Sequence, residues 1–303
     1  MISMIVLLLI GFVMLIKGAD IFVASSSSIA KRFGIPSIII GMTIVAMGTS
    51  APELSVSINS SLAGLNDMSI ANVVGSNIFN LLVVLGVSSL FNKLRINNYR
   101  DIFVLLGTCI LLLLSSLDGN LNIFNGAILL ITFASFIYDM IKSAKNNNEE
   151  IEQSNKPLWL TIILGLLGLA AIIWGGDLVV NSASAIAQQL GMSENLIGLT
   201  IVAVGTSLPE LVTSVVATRK GELDIAIGNV IGSNIFNILL ILGAASVISP
   251  MVVTSVALLD IIIMTVLVIV FIAATYKKKE VNKILGVILI LTYIAYIVST
   301  IIR

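Results

Sequence analysis

The sequence predicts an all-α polytopic membrane protein with ten transmembrane helices arranged as two inverted five-helix repeats. Three observations predict it. Apolar runs such as 2–16, 102–114 and 261–274 recur along the chain, and 58% of its 303 residues are hydrophobic while 11% are charged, against roughly a quarter charged in a soluble domain. The basic residues crowd into alternate loops. A polar stretch of the first half also returns, almost unchanged, 157 residues later.

Runs of about 20 apolar residues place the first five helices near 2–29, 35–63, 67–91, 101–117 and 121–143. The second five fall near 158–188, 193–218, 223–248, 251–275 and 282–302. Several exceed the bilayer thickness, so tilts or breaks are expected. The N-terminal run has no basic region before it and has a counterpart later in the chain, which identifies a first helix rather than a signal peptide. With ten spans, Lys31, Arg32, Lys93, Arg95, Arg100, Lys142, Lys145, Lys156, Arg219, Lys220, Lys277, Lys278, Lys279 and Lys283 all fall on one side. Arg303 alone falls on the other, and Lys17 lies within the first span. By the positive-inside rule the crowded side is cytoplasmic and both termini face outward. The polar stretch 146–156 is then a cytoplasmic linker between a first repeat, 1–145, and a second, 157–303.

Composition excludes several function classes. The net charge is zero, so nucleic acid is not an expected partner; membrane lipid is. There is no histidine, hence no usual general base or zinc ligand, and the single cysteine, Cys109, can form no intramolecular disulfide. An intramembrane enzyme would need a nucleophile or metal set that is not evident. No cofactor is expected.

The internal repeat carries the chemistry. Residues 41–53 read GMTIVAMGTSAPE and 198–210 read GLTIVAVGTSLPE, identical at ten of thirteen positions. Residues 72–80, NVVGSNIFN, return at 229–237 as NVIGSNIFN. Each half holds an odd number of spans, so equivalent helices cross in opposite senses, the arrangement from which many secondary transporters build a midplane site. Packing alone tolerates apolar swaps, so near-identity confined to polar and glycine-rich stretches points to function.

Glu53 and Glu210 sit mid-span, where a carboxylate costs several kcal/mol and faces a partner or a wet cavity. No basic residue lies mid-span to neutralise them, Lys17 being near the end of its helix. Pro52 and Pro209 lack the N–H that the carbonyls of Gly48 and Gly205 would accept, which loosens the turn. Thr49 and Ser50 share a helical face with Glu53, as Thr206 and Ser207 do with Glu210. Ser76 with Asn80, and Ser233 with Asn237, add neutral oxygens at four-residue spacing. Asn77 and Asn234 are equally consistent with interhelical bonding. Carboxylate, hydroxyl and carbonyl oxygens suit hard cations such as calcium and sodium. Two carboxylates match one Ca²⁺, and three Na⁺ in exchange would move one net charge per cycle, worth about 2.3 kcal/mol per 100 mV.

The doubled G-T-S-x-P-E string, each copy followed by G-S-N-I, resembles the alpha-repeats of the sodium/calcium exchanger family, within the cation/calcium antiporter superfamily, over nearly the whole chain. The resemblance implies a core of the second, third, seventh and eighth helices, with long first and sixth helices sliding across it to alternate access. It implies calcium ligands at Glu53 and Glu210 with carbonyls near Thr49 and Thr206. The implied sodium sites are Ala46, Thr49, Ser50, Glu53 and Ser76, with Ala203, Thr206, Ser207, Glu210 and Ser233, while Asn80 and Asn237 line the centre. Potassium-dependent relatives carry aspartate where Asn237 stands, so potassium coupling is not expected. The short linker leaves no room for a calcium-sensing insert, and the short loops suit a prokaryotic plasma membrane. The expected activity is sodium/calcium exchange by a monomer. Calcium/proton exchange and potassium-dependent exchange are the nearest alternatives, and a channel is a more distant one.

Asp20 and Asp177 also correspond at the repeat offset and are expected near the outer halves of the first and sixth helices. Lys17, three residues before Asp20, suggests a helix-surface pair; a role in the access path is the other reading. The glycines at 165, 168, 175 and 176 predict close helix contact in the sixth span, and Trp159, Trp174, Tyr99, Tyr138 and Tyr276 mark interfaces or packing.

Overall fold

In hydrocarbon every backbone N–H and C=O must bond within the protein, so apolar runs of this length become helices. The computed structural model describes residues 2–146, 157–192, 201 and 203–302, with Asn146, Ala203 and Ile301 described in their backbone alone. The linker beyond Asn146 and residues 193–200, where the seventh predicted span begins, lie outside the described residues, as does Arg303. Among the described residues seven helices are long and apolar enough to cross a bilayer, and the bent pair Ser37–Thr49 with Ala51–Leu62 makes an eighth. The two other predicted spans correspond to the 17-residue helix Arg100–Ser116 and to a span of which Leu208–Arg219 is described.

Burial sorts these helices into centre and periphery. The hydrophobic windows of Asn66–Phe91 and Leu223–Ile248 are 72% and 94% buried, whereas those of the other candidate spans are 28% or less. The peripheral helices present large apolar side chains outward, among them Leu9, Ile131, Leu166 and Leu291, as a lipid-facing surface requires.

Two 32-residue helices, Ile2–Phe33 and Leu158–Gln189, pack along each other. Their crossing depends on glycine. A Cβ at Gly18 would lie 2.7 Å from the Gly168 carbonyl oxygen, and one at Gly175 would lie 2.8 Å from the Leu15 nitrogen. Backbone meets backbone there, a distance that small residues alone allow. Gly168 and Gly175 meet the expectation of close contact, while Gly165 and Gly176 stand slightly further from their neighbours. A similar approach joins the helix through Met42 to Gly232, where a Cβ would lie 2.5 Å from the Met42 backbone.

Two short strand pairs tie loops of one half to loops of the other. Leu94 and Arg95 pair antiparallel with Val281 and Glu280, and Asn120 and Leu121 with Val252 and Met251. Each pair joins loops that the charge pattern assigns to a common side of the membrane.

Replacing Gly168 with valine is expected to force the long helices apart, at a cost of roughly 1–3 kcal/mol as in other overpacked contacts. The unfolding midpoint of the detergent-solubilised protein should fall for Gly168→Val and stay unchanged for Gly107→Ala, where the Cβ position is open. An equal midpoint for Gly168→Val would contradict the backbone contact.

Candidate functional site

The repeated G-T-S-x-P-E strings interrupt their helices at the serine. Ser50 adopts φ −82° and ψ 10°, Ser207 adopts φ −91° and ψ 7°, and a new helix begins after each with proline in its first turn. The two arms around Ser50 meet at 49°. Proline is tolerated at a helix start because its missing N–H has no intrahelical partner there anyway. The Gly48 carbonyl, expected to be freed by Pro52, instead accepts a backbone N–H at the cap. Glu53 and Glu210 occupy the first turns of the new helices, where the positive end of the helix dipole favours a carboxylate.

Both glutamates are completely buried. Each receives a hydroxyl from the other half: Ser50 Oγ donates to Glu210 Oε1 at 2.8 Å, and Ser207 Oγ donates to Glu53 Oε1 at 3.1 Å. Ser76 adds a longer bond of 3.4 Å to the same Glu53 oxygen. The second oxygen of each carboxylate, Oε2, is buried without a hydrogen-bond partner. A buried carboxylate oxygen left unpaired is costly, so these two oxygens are the free acceptors of the site.

The central helices supply the remaining polar groups. Asn77 and Asn234 each donate an amide hydrogen to the other's backbone carbonyl, at 3.1 and 3.2 Å. Asn237 Nδ2 donates to Asn77 Oδ1 at 3.0 Å, which leaves Asn237 Oδ1 without a partner. Both amide atoms of Asn80 are buried and unpaired. Asn80 and Asn237 each open a π-helical turn, Asn80–Val84 and Asn237–Leu242, a wide turn that often marks functional positions in helices. Gly41–Val45 forms another. Nothing in the sequence pattern announced these turns.

Of the candidate residues, Ser50, Ser76 and Ser207 touch the two carboxylates directly. The Ala46 carbonyl oxygen accepts from Ser233 Oγ at 3.5 Å, and it shares the single Thr49 hydroxyl hydrogen, at 3.3 Å, with the nearer Asn229 Oδ1 at 3.0 Å. Ala203 lies in the short helix Ala203–Gly205, and its side chain is outside the described residues. Thr206 Oγ1 is buried and unpaired, although the residue is partly exposed. Asn72 and Asn229, which head the second repeated string, were not singled out as site residues. Their Nδ2 atoms bond the backbone carbonyls of Glu53 and Glu210, at 3.2 and 3.4 Å. The same amides reach Ser57 and Ser214, each at 2.9 Å. Near-identity of 72–80 with 229–237 was the available signal. Among the described residues no three Asp, Glu or Cys side chains cluster to hold a metal. A cation here would therefore draw on the two carboxylates and on hydroxyl, amide and carbonyl oxygens.

Asp20 departs from expectation. Its carboxylate pairs with Lys220 at 2.8 Å, and the same ammonium group bonds the Asp20 carbonyl oxygen at 2.8 Å. Helical spacing suggested Lys17, but the seventh span brings Lys220 alongside the first helix. Because Lys220 belongs to the lysine-rich side, Asp20 lies towards that side. Asp177 lines a separate cavity of about 290 Å³ together with Pro52, Gly176, Thr206 and Pro209.

Residues 3–142 and 160–302 match the family described as "Sodium/calcium exchanger protein". The chain is 38% identical to the "Putative antiporter CaxA" of Alkalimonas amylolytica, over 96% of each chain. It is 32% identical to the "Sodium/calcium exchanger MaX1" of Methanosarcina acetivorans, over 96% of this chain and 97% of that one. Its fold superimposes on the solved sodium-calcium exchanger NCX_Mj with a TM-score of 0.86 at 31% identity, covering 99% of both chains. With its apolar helices packed around two buried acidic residues, this multi-pass membrane protein belongs to the sodium/calcium exchanger family of cation antiporters.

Proposed function

We propose that this protein exchanges sodium for calcium, electrogenically at three to one, by alternating access to a midplane site centred on Glu53 and Glu210. The observation that carries this reading is the pair of buried carboxylates, each held by the opposite half's serine and each keeping Oε2 free of protein partners. One calcium ion neutralises the two charges. Sodium ions would divide the same oxygens, using Ala46, Thr49, Ser50 and Ser76 with Ala203, Thr206, Ser207 and Ser233, while Asn80 and Asn237 border the centre. Ten helices in two inverted repeats accommodate the pairwise equivalence of the bonds around the two glutamates. Both termini face outward from a prokaryotic plasma membrane, and the monomer is the working unit.

The test is calcium uptake into proteoliposomes loaded with sodium, against vesicles loaded with potassium or choline. Uptake is expected with internal sodium alone, and it should accelerate when valinomycin sets an inside-positive potential, because three Na⁺ leaving for one Ca²⁺ entering carry one net positive charge outward. Uptake driven equally by a pH gradient without sodium would replace this reading with calcium/proton exchange. Glu53→Gln and Glu210→Gln should each reduce uptake by more than about a hundredfold, beyond the usual effect of losing an outer-shell partner of a metal ligand. Normal uptake by both variants would place the site elsewhere.

Ser50→Ala and Ser207→Ala separate the two ions. Each removes a hydroxyl that serves the proposed sodium sites and not the calcium ligands. The sodium concentration for half-maximal exchange is expected to rise roughly tenfold or more, the scale of a lost hydrogen bond to a charged group. Calcium/calcium self-exchange should change much less, and equal loss of both would show that the serines hold the glutamates for either ion. Asn237→Asp is expected to introduce a dependence on pH or potassium that the parent lacks, because it places a third carboxyl group at the centre. A flat response to both would make position 237 peripheral to transport.

A further inference from the structure

The polar bonds around the two glutamates are equivalent in pairs at Ser50 with Ser207 and at Asn72 with Asn229. They diverge elsewhere: Ser76 bonds Glu53 while Ser233 bonds the Ala46 carbonyl, and Asn237 bonds Asn77 while Asn80 is unpaired. The divergence beside the cavities is at the threonines. Asn72 and Asn229 each brace the backbone carbonyl of a glutamate and the hydroxyl of a serine. Thr49 Oγ1 donates to Asn229 Oδ1 at 3.0 Å, and both residues are fully buried. The corresponding Thr206 makes no such bond to Asn72. Its hydroxyl is unpaired, both residues are partly exposed, and both line a cavity of about 510 Å³ together with Ser76 and Val56.

This asymmetry extends outward on each side. The large cavity runs past Asp67 and Thr254, in the first turn and at the cap of their helices, and past Thr300 near the end of the last helix. The opposite side is bridged by the Lys220–Asp20 pair and by Ser27 Oγ donating to Glu222 Oε1 at 2.6 Å. A further mismatch concerns Val56, which lines the cavity. Its equivalent at the repeat offset is Thr213, which is completely buried with an unpaired hydroxyl. A threonine is costly in that place while it stays dry, and it suits a position that becomes wet when the shut side opens.

We propose that Thr49–Asn229 and Thr206–Asn72 are two copies of one latch, closed on the lysine-rich side and open on the other in this conformation. In the opposite conformation the closed and open copies exchange, and Thr213 then lines the inner cavity as Val56 lines the outer one. The asparagines act as positioning residues, because the amide that receives the threonine also holds the glutamate carbonyl. Closure of a mouth is thereby linked to the placement of the carboxylate beside it. The latch rests on the alternating-access reading above, and thiol labelling tests it separately from transport.

The experiment uses the full chain in proteoliposomes with Cys109→Ala, carrying either Thr213→Cys or Val56→Cys as the labelled thiol. A membrane-impermeant maleimide is applied from each side in turn. In the parent background Val56→Cys should label from one side, and Thr213→Cys should label slowly from either. Adding Thr49→Val, which keeps the shape and removes the donor, should raise labelling of Thr213→Cys from the other side roughly two- to tenfold, the population shift from one hydrogen bond of ordinary net strength. Labelling of Val56→Cys should fall in step, and Thr49→Ser should restore the parent rates. Asn229→Leu reads the same contact from its other end. The latch is overturned if Thr49→Val, folded and monodisperse, leaves both labelling rates unchanged, or if Thr206→Val raises labelling of Thr213→Cys as much as Thr49→Val does. Failure of sodium-driven uptake in the parent with the labelling pattern intact would instead reject the transport reading.

Discussion

Everything in this protein is arranged around the cost of keeping two carboxylates away from water in the middle of a membrane. A lone buried charge is unfavourable by several kcal/mol, and no lysine or arginine is bonded to Glu53 or Glu210 among the described residues. The chain meets that cost with partial charges. It starts a helix two residues before each glutamate, and it brings a serine from the opposite half to one oxygen of each carboxylate. It stops short of full satisfaction, since both Oε2 atoms remain unpaired. In the proposed exchange, a mobile cation would supply the partner that these two oxygens lack.

That arrangement makes the two halves interdependent. Each glutamate is completed by the other half's serine, the asparagines Asn77 and Asn234 bond across the middle, and the short strand pairs join loops of different halves. Neither half could build its share of the site alone. Several close helix crossings place glycine against glycine, Gly18 on Gly168 and Gly11 on Gly175 among them, so backbone packing carries adhesion that the apolar solvent does not supply.

Much of the site was legible because its residues are repeated. Glu53 with Glu210, and Ser50 with Ser207, stand at equivalent positions in strings too polar for their surroundings, and each serine break lies two residues before a proline whose missing N–H could be read directly. Other features were hidden for identifiable reasons. A π-helical turn depends on how one extra residue is accommodated in a packed helix, and no residue type encodes that. The bracing role of Asn72 and Asn229 depends on the distance between neighbouring helices, although their place in the repeat was visible. Lys17 was the near neighbour of Asp20 along the helix, but Lys220, two hundred residues later, is its partner in space.

The sequence by itself determined the solvent of this protein, the doubling of its motif and the chemistry of its site, because hydropathy, identity at a fixed offset and side-chain functional groups are properties of the chain. Only the tertiary structure decided which oxygens remain free, which copy of the threonine–asparagine contact is made and on which side a cavity reaches Asn72, Ser76 and Thr206. The physical reason is that two nearly identical repeats cannot be told apart by their own residues. Their equivalence is broken only when they pack together, since one cavity opens beside Asn72 and Thr206 while Asn229 and Thr49 are pressed shut.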